Sequence, residues 1–355
     1  MDRDMTNPIR LAFTMGDPAG IGPEIIAKAV REMAGLVQAG RAEFIVLGSA
    51  AALRQAEALL GLPAAGEEAG ALYRMVDVGP VDAPFVTGQV SAAGGEWAYR
   101  AVEKAARMVQ AGEADAIVTG PLSKEALHLA GHHFEGHTEL LAHLTGQRDA
   151  VMMLAHGDMR VTHVTTHCAL ADVPRRITPE RLRRVFDVTL DAMSALGISN
   201  PRVAVAGLNP HCGEGGILGK EDDEIIAPVI KEYTDRGLGL IGPVPGDTVF
   251  IKMRARQFDA VVAMFHDQGH IPLKLLGFQV DPATGAWQAI SGVNITLGLP
   301  ILRTSVDHGT AFDIAGKGVA NANSVVEAAE YAIQLIAGRK AVAAAQAATE
   351  GAQSC

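Results

Sequence analysis

Short apolar runs alternate with longer amphipathic stretches through most of this 355-residue chain. The runs IRLAFTMG, EFIVLGS and ADAIVTGPL are typical of buried strands, whereas PEIIAKAVREMAG has the periodicity of a helix. Because this alternation places a helix between successive strands, it predicts an α/β fold with parallel sheets covered by helices. A hairpin at His156-Gly157-Asp158 is the expected antiparallel exception. The length favours two domains.

Composition limits the kinds of partner. With 48% apolar and 20% charged residues, the chain is typical of a well-buried globular protein. A net charge of −10 disfavours nucleic acid, and no apolar run approaches the roughly 20 residues of a membrane span. The three scattered cysteines and the charged N-terminus without an apolar signal core predict a cytoplasmic protein.

The glycine-rich stretch TMGDPAGIGPEI lies where a dinucleotide-binding loop would be expected. Its glycines follow the spacing G-x-x-x-G-x-G, which differs from the G-x-G-x-x-G fingerprint, and no acidic residue closes EFIVLGS. We therefore interpret the stretch as a tight strand-to-helix turn at the mouth of a cleft and expect the cofactor to bind elsewhere.

Three histidines follow predicted strands. His167, His211 and His266 end VTHVTTH, VAVAGLNPH and VVAMFH, and the carboxyl ends of strands open onto the ligand crevice in α/β folds. Three imidazoles with one open position form a catalytic metal arrangement, although hydrogen-bonded structural histidines are an equally good interpretation from spacing alone. Asp247 and Asp267, in predicted turns, are candidates to orient a histidine or to cap those turns.

Cys168 and Cys212 directly follow two of these histidines. Adjacent side chains of an extended segment point to opposite faces, so we expect small buried thiols rather than zinc ligands.

A second group of residues suits an anionic substrate. His137 and Thr138 open the predicted helix of GHTELLAHLTG, where backbone N–H groups favour negative charge, although an ordinary helix cap is as good an interpretation. Lys274 and Arg303 flank Asn294 in sequence and could bind a phosphate, whereas either cation alone is more often a solvated surface charge. A third, weaker candidate is the glycine-rich segment Ser305 to Ser324, whose polar groups could face a base or ribose.

Together these stretches resemble a known family. The motifs GDPAGIGPEI, VTGPLSKEAL, GLNPHCGEGG, PVPGDTVF, FHDQGH and RTSVDHGTAFDIAGKG are similar to those of the 4-hydroxythreonine-4-phosphate dehydrogenases of vitamin B6 (pyridoxine and pyridoxal phosphate) biosynthesis. The resemblance runs from about Leu11 to Glu330. It implies two α/β/α domains around a cleft, as in isocitrate and isopropylmalate dehydrogenases, and a homodimer with shared active sites. We place an NAD-side domain at residues 1–135 plus 305–355 and a metal, substrate and dimerisation domain at 136–304.

The resemblance also implies residue roles. The metal histidines fall on His167, His211 and His266, with His266 expected from the partner subunit, and the metal could be Zn, Co, Mg, Mn or Ni. The implied substrate contacts are His137, Thr138, Lys274, Asn294 and Arg303. The implied contacts to NAD or NADP are His308, Gly309, Thr310, Asp313 and Asn321. Asp247, Asp267 and Lys274 are the catalytic candidates.

The implied reaction is oxidation and decarboxylation of 4-phosphooxy-L-threonine to 3-amino-2-oxopropyl phosphate. One departure affects the substrate. The stretch GFQVDPATGAWQAISG between Lys274 and Asn294 is longer than expected and resembles the subgroup of D-threonate and D-erythronate 4-phosphate dehydrogenases, which form dihydroxyacetone phosphate. More distant alternatives are a dihydrodiol dehydrogenase, a metal-dependent hydrolase and a phosphate acyltransferase.

Overall fold

The computed structural model describes residues 7–66, 70–79, 84–147, 149–283 and 287–353. Residues 284–286 of the long stretch between Lys274 and Asn294, and Cys355, therefore lie outside the described residues. Within the described residues, the helices are all too short or too polar to cross a membrane.

The chain divides into two compact units. Unit 1 comprises Met1–Ala150, Ala289–Val293 and Leu299–Ile336, and unit 2 comprises Val151–Gln288, Asn294–Gly298 and Ala337–Cys355. The domain boundaries predicted from the sequence stay a proposal beside this division.

Unit 1 is a parallel α/β unit, as the alternation predicted. Its strands are β1 (Ile9–Thr14), β2 (Ala42–Gly48), β3 (Arg74–Asp77), β4 (Ala116–Thr119) and β13 (Arg303–Val306). They lie in the order β3-β2-β1-β4-β13, and each neighbouring pair is parallel. Its helices are α1 (Gly22–Glu32), α2 (Ala34–Gln38), α3 (Ala50–Leu59), α4 (Ala92–Gln110), α5 (Lys124–Leu129) and α6 (His137–Leu144).

Local sequence explains where several of these helices begin. Ser49, Ser91 and Ser123 are the N-caps of α3, α4 and α5, and each side-chain oxygen accepts a hydrogen bond from a backbone N–H of the first turn. Pro23 lies in the first turn of α1, where its missing N–H costs nothing. The apolar face of α4, including Val102 and Met108, packs against the sheet in the core of unit 1.

Unit 2 contains the predicted hairpin. Its strands are β5 (Val151–His156), β6 (Met159–His163), β7 (Val203–Ala206), β8 (Leu240–Val244), β9 (Ala260–Ala263) and most of β12 (Val293–Leu297). The order is β12-β5-β6-β9-β7-β8, in which β5 and β6 are antiparallel, whereas β9 is parallel to β6 and β7. A separate two-stranded sheet pairs β10 (Phe278–Val280) with β11 (Trp287–Ile290).

The helices of unit 2 follow the strands that carry the candidate residues. They are α7 (Val173–Arg176), α8 (Pro179–Ala195), a π-helical turn (Asp222–Ile226), α9 (Ala227–Thr234), α10 (Gly246–Arg254) and α11 (His266–Gly277). The last helix, α12 (Asn323–Gln353), crosses from the unit 1 range into the unit 2 range at residue 337. The fold class predicted from the sequence is therefore confirmed.

Candidate active site

Each of the three candidate metal ligands follows the carboxyl end of a strand in unit 2. His167 comes after β6, His211 comes after β7, and His266 is the first residue of α11, just beyond β9. The strands β6, β9 and β7 are consecutive in the sheet, so their ends lie side by side. This is the topological position in which α/β proteins bind ligands.

His167 and His266 line one cavity of about 320 Å³, together with Cys168, Asp267 and apolar side chains such as Leu170. Their ring centroids are 5.8 Å apart. The Nδ1 of His266 lies 2.7 Å from Oδ1 of Asp267, and the carboxylate there selects the tautomer with the proton on Nδ1. That tautomer presents the Nε2 lone pair, which is the arrangement of a metal-ligating histidine backed by a carboxylate, so these residues fit a divalent metal ion.

His211 lies in a strained loop. His211, Cys212 and Glu214 have φ angles of 52°, 54° and 48°, in the left-handed region that L-residues rarely occupy, and neighbouring glycines share that conformation. Such a run costs roughly 1–2 kcal/mol for each residue with a Cβ atom. Buried Asp222 supports the loop because its carboxylate accepts hydrogen bonds from the backbone N–H groups of Leu208 and Asn209.

This loop corrects one prediction from the sequence. His211 and Cys212 were expected to point to opposite faces, as adjacent residues of an extended segment do, and this is wrong because the two residues form a left-handed turn. Cys168 and Cys212 are also half-buried rather than buried. Burial, followed by the nearby carboxylates of Asp222, Asp223 and Asp247, nevertheless raises the pKa of the Cys212 thiol to about 11, so it stays protonated near neutral pH.

Within the described residues of a single chain, the donor atoms of His167, His211 and His266 do not all come within 4.8 Å of one another. The implied shared site in a dimer stays a proposal. Asp247 and Asp267 were expected in turns, but they lie in the first turns of α10 and α11. Of these two carboxylates, Asp267 is hydrogen-bonded to a candidate ligand, His266.

Two further histidines lie behind His266, and the sequence analysis did not single them out. The ring of His270 stacks on that of His266 with centroids 3.6 Å apart, and its Nδ1 lies 2.9 Å from the His266 carbonyl oxygen. The fully buried ring of His163 packs behind His270 at 4.8 Å. Gly269 makes room for it, because a Cβ atom there would overlap Nε2 of His163.

Arg303 differs from the solvated cation that a single arginine usually is. It begins β13, it is only 3% exposed, and its Nε and Nη2 donate to Oγ1 of Thr119 at the end of β4 at 3.0 and 2.8 Å. Burial lowers the pKa of Arg303 to about 9, although the charge of Glu139 opposes this effect, so the guanidinium keeps its charge near neutral pH. A buried cation of this kind suits a charged oxyanion ligand.

Two predicted substrate residues carry buried polar atoms without a hydrogen-bond partner among the described residues. These atoms are Nε2 of His137, at the start of α6, and Oδ1 of Asn294 in β12. Burial, together with the charge of Arg303, lowers the pKa of His137 well below its usual value. Because an unsatisfied buried group costs about 1–3 kcal/mol, a bound ligand is the natural partner for each. Thr138 lies in the first turn of α6, and Lys274 lies in α11 with its Nζ 5.2 Å from the ring centre of Phe278.

The glycine-rich turn at TMGDPAGIGPEI packs backbone against backbone, as the tight-turn interpretation predicted. A Cβ atom at Gly16 would overlap the carbonyl oxygen of Pro121, and one at Gly20 would lie 2.8 Å from the carbonyl oxygen of Thr310. Glu24 of the same stretch has a role that the sequence analysis missed. Its carboxylate accepts hydrogen bonds from the N–H groups of Gly316 and Gly318 at 2.6 and 2.8 Å, which anchors the second glycine-rich segment.

The predicted cofactor residues lie along that second segment, and several already make internal contacts. The carbonyl of Thr310 accepts a bond from Ile21, and Oδ1 of Asn321 accepts one from the N–H of Asn323 at the start of α12. His308 bonds through Nδ1 to the carbonyl of Gly309, and Asp313 is exposed. A cavity of about 210 Å³ adjoins the segment and is lined by Gly316, Glu24, Gln55 and Thr87, among others. Cofactor contacts stay a proposal.

Two α/β units with histidines and a buried arginine near strand ends are typical of enzymes that act on small anionic molecules. The comparisons with known proteins narrow this class to the dehydrogenases, which are oxidoreductases acting on CH–OH groups. The chain belongs to the family described as pyridoxal phosphate biosynthetic protein PdxA, whose model matches residues 40–332. The resemblance inferred from the motifs is therefore confirmed.

Three similar proteins illustrate the family. A Bradyrhizobium diazoefficiens protein, provisionally named D-threonate 4-phosphate dehydrogenase, is 59% identical over 93% of this chain and 98% of its own length. The 4-hydroxythreonine-4-phosphate dehydrogenase of Beijerinckia indica is 44% identical over 92% of this chain and 94% of its own. The crystal structure of the 4-hydroxythreonine-4-phosphate dehydrogenase of Klebsiella pneumoniae is similar with a TM-score of 0.77, 41% identity and coverage of 93% of this chain and 100% of that one.

Proposed function

We propose that this dehydrogenase oxidises and decarboxylates D-threonate 4-phosphate or D-erythronate 4-phosphate to dihydroxyacetone phosphate, with NAD or NADP and a divalent metal ion. The observation that carries the choice of substrate is the 59% identity to the Bradyrhizobium protein over nearly the whole of both chains, against 44% to the Beijerinckia protein. The long stretch between Lys274 and Asn294 supports the same subgroup.

A 4-phosphorylated hydroxy acid agrees with the chemistry of unit 1. Arg303 is a buried, charged guanidinium fixed by Thr119, and it is suited to the doubly charged phosphate. His137, neutral and with a buried Nε2, is suited to a hydrogen bond with the bound substrate. Thr138, Lys274 and Asn294 stay proposed substrate contacts.

His167, His211 and His266 are the residues that would hold the metal ion. A divalent ion there would act as a Lewis acid, lowering the pKa of the substrate hydroxyl during oxidation. Asp267 fixes the His266 tautomer, and His270 limits the tilt of its ring. Asp247 stays a catalytic candidate.

A homodimer completes this proposal, with a second copy of the chain as the partner. Ile271 and Leu275 lie one turn apart on α11, the helix that His266 begins, and they are 64% and 80% exposed. Ile217, in the loop that follows His211, is 80% exposed. Apolar side chains this exposed beside candidate ligand segments suit burial in a subunit interface.

An NADH-formation assay tests the substrate. The protein is given D-threonate 4-phosphate, D-erythronate 4-phosphate and 4-phosphohydroxythreonine, each with and without EDTA, and each assay is repeated with NADP. We expect kcat/KM for one of the two sugar-acid phosphates to be at least about tenfold higher than for 4-phosphohydroxythreonine, a difference of about 1.4 kcal/mol. We also expect turnover to be lost with EDTA. Turnover that resists metal removal would contradict the metal, and no turnover on any of the three would contradict the phosphorylated substrate.

A second candidate is 4-phosphohydroxythreonine itself. The names of the Beijerinckia and Klebsiella proteins favour it, and the same assay decides it. A higher kcat/KM on the amino acid than on both sugar-acid phosphates would establish this candidate and exclude the first.

Complementation tests the shared metal site. His211→Ala and His266→Ala are each expected to abolish turnover. If the two ligands of one site come from different subunits, hybrids formed by co-expressing both variants contain one intact site, and about a quarter of wild-type activity returns under random assembly. If both ligands come from one chain, each hybrid site lacks a ligand and no activity returns.

A further inference from the structure

Gln268 joins the ends of strands that carry different candidate ligands. It lies in the first turn of α11, two residues after His266, and its side-chain amide faces the sheet. Its Oε1 accepts the backbone N–H of Met264, just beyond β9, at 2.6 Å, and its Nε2 donates to the carbonyl of Gly207, just beyond β7, at 2.8 Å. The donor and acceptor of the two backbone partners fix the orientation of the amide.

The hydrogen-bonded connection continues to the third strand. The carbonyl of Met264 accepts bonds from both the backbone N–H and the Oγ1 of buried Thr165, at 3.2 and 2.8 Å. Thr165 lies two residues before His167. Thr165, Met264, Gln268 and Gly207 therefore form one chain of hydrogen bonds across the ends of β6, β9 and β7, which we call the strand-end chain.

The packing around Gln268 is built to admit its amide. A Cβ atom at Gly246, which begins α10, would lie 3.0 Å from Nε2 of Gln268. The absence of a side chain there lets the amide reach Gly207. The carbonyl of Val244, at the end of β8, accepts a bond from the N–H of Gly207 at 2.8 Å. Gly207 is therefore hydrogen-bonded through both its N–H and its carbonyl.

We propose that Gln268 is a positioning residue, whose amide closes the strand-end chain and holds the segments bearing His167, His211 and His266 in the positions from which these ligands reach the metal sites of the dimer. Because the His211 segment is strained, it needs outside contacts to persist, and the bond from Gln268 to Gly207 is one of them. This inference rests on the proposed metal site and goes beyond it by assigning the residue that sets its geometry.

The test compares the loss of side-chain hydrogen bonds at the carboxyl ends of β7 and β9 with their loss at the amino ends of the same strands. Gln268→Met removes both hydrogen bonds at the carboxyl ends of β7 and β9 with little change of shape, and Gln268→Glu keeps the acceptor for Met264 but places a carboxylate oxygen against the Gly207 carbonyl. The matched control is Arg202→Met. Arg202 bonds through its side chain to Asp259 at the amino ends of these strands, at 3.2 and 3.1 Å.

The readouts are the Kd of the full-length apoprotein for Zn²⁺ or Co²⁺, measured by competition with a chromophoric chelator, the visible spectrum of the Co²⁺ form and the thermal midpoint. We expect both Gln268 variants to raise the metal Kd about 10- to 100-fold and to change the Co²⁺ spectrum. Arg202→Met should lower the thermal midpoint and leave the Kd and the spectrum within twofold of wild type.

Three results would overturn the inference. A wild-type metal Kd in both Gln268 variants would do so while leaving the proposed metal site intact, and an equal loss of affinity in Arg202→Met would reduce Gln268 to a general stabilising role. If the wild-type protein binds no divalent metal, the proposed function fails, and the inference fails with it.

Discussion

Strands β1 and β4 of unit 1 and strands β7 and β9 of unit 2 begin in the same way and end differently. At the start of the first pair, Asp115 accepts bonds from the backbone and side chain of Arg10. At the start of the second, Asp259 accepts bonds from the backbone and side chain of Arg202. The register is the same, because each arginine lies opposite its aspartate in a parallel pair.

The carboxyl ends of the two pairs are built from different groups. In unit 1 the segments that follow β1 and β4 are joined by backbone hydrogen bonds alone. The N–H of Asp17 donates to the carbonyl of Pro121, and the N–H of Gly120 donates to the carbonyl of Thr14. In unit 2 a side-chain amide, that of Gln268, fills the corresponding place between Gly207 and Met264. The shared starts therefore stabilise the sheet, whereas the ends are where each unit acquires its own chemistry.

The largest expected effect on stability comes from the close backbone contact between Gly16 and Pro121 in unit 1. Gly16→Ala would force a Cβ atom onto the carbonyl of Pro121 at a φ of 72°, and backbone cannot move aside as a side chain can. We expect a loss of about 4 kcal/mol in the free energy of unfolding, measured by urea denaturation.

Gly157→Ala is the matched control for this prediction. Gly157 has a φ of 54° in the β5–β6 turn but open space around its Cβ position, so only the backbone strain of about 1 kcal/mol is expected. Equal losses in the two variants would show that the contact with Pro121 has no role in the stability of unit 1.

The next largest effect is expected at Arg303, the buried arginine that is hydrogen-bonded to Thr119 at the end of β4. Arg303→Met removes the buried charge bonded to Thr119, and kcat/KM for the phosphorylated substrate should fall by about 100-fold or more, roughly 3 kcal/mol. Steady-state kinetics measures this loss, with circular dichroism to check folding. Arg202→Met, which removes an arginine from a strand start, is the control and should keep kcat/KM. A change confined to the KM of NAD would contradict the phosphate role.

A third prediction uses the buried carboxyl that follows β1. Burial raises the pKa of Asp17 to about 6, although the bond from the N–H of Ala19 lowers it. Since the folded pKa lies above the unfolded value, the contribution of this group to stability is complete below pH 4 and is lost as the pH rises through 6. Asp17→Asn should therefore leave stability at pH 4 unchanged and raise it by about 2 kcal/mol at pH 8.

Urea denaturation between pH 4 and 8 measures this difference. Asp313→Asn, in an exposed position of the same unit, is the control and should follow the wild-type profile. If Asp17→Asn also follows the wild-type profile, the carboxylate of Asp17 after β1 is not a buried charge that lowers stability at neutral pH.

How far the sequence could predict this molecule follows from the range of each interaction. Hydrophobic periodicity is local, so the strands, the helices and the β5–β6 hairpin could be predicted. The position of the three candidate histidines beyond strand ends could be predicted too, because residues after strands gather at one edge of a sheet, whereas their role as metal ligands stays a prediction. The strand-end chain could not, because Gln268 meets Gly207 across a separation of 61 residues and its glutamine has no distinctive spacing. The left-handed conformation of His211 and Cys212 could not be predicted for another reason. The glycines around them predict a turn, but they do not show which residues of that turn have positive φ angles.

The paired arginines and aspartates show the same limit. The segments RLAF and DAIV in unit 1, and RVAV and DAVV in unit 2, are similar, but no continuous repeat joins them. The partners are 105 residues apart in unit 1 and 57 residues apart in unit 2. Only the parallel register reveals that both units begin a central strand pair with the same ion pair.

The smallest effect tests the shared starts themselves. Asp115→Asn and Asp259→Asn each weaken a partly exposed ion pair, so each should lower the free energy of unfolding by about 1 kcal/mol, measured by urea denaturation. Burial raises the pKa of Asp259, but the bonds and charge of Arg202 outweigh this and lower it. Its contribution is therefore present above the unfolded pKa and lost as the pH falls through the folded one, and Asp259→Asn should be less sensitive to acid than wild type. Neither variant should change the metal Kd or kcat/KM. If Asp259→Asn alone weakened metal binding, the start of the β7–β9 pair would belong to the site, and the division between stabilising starts and functional ends would fail in unit 2.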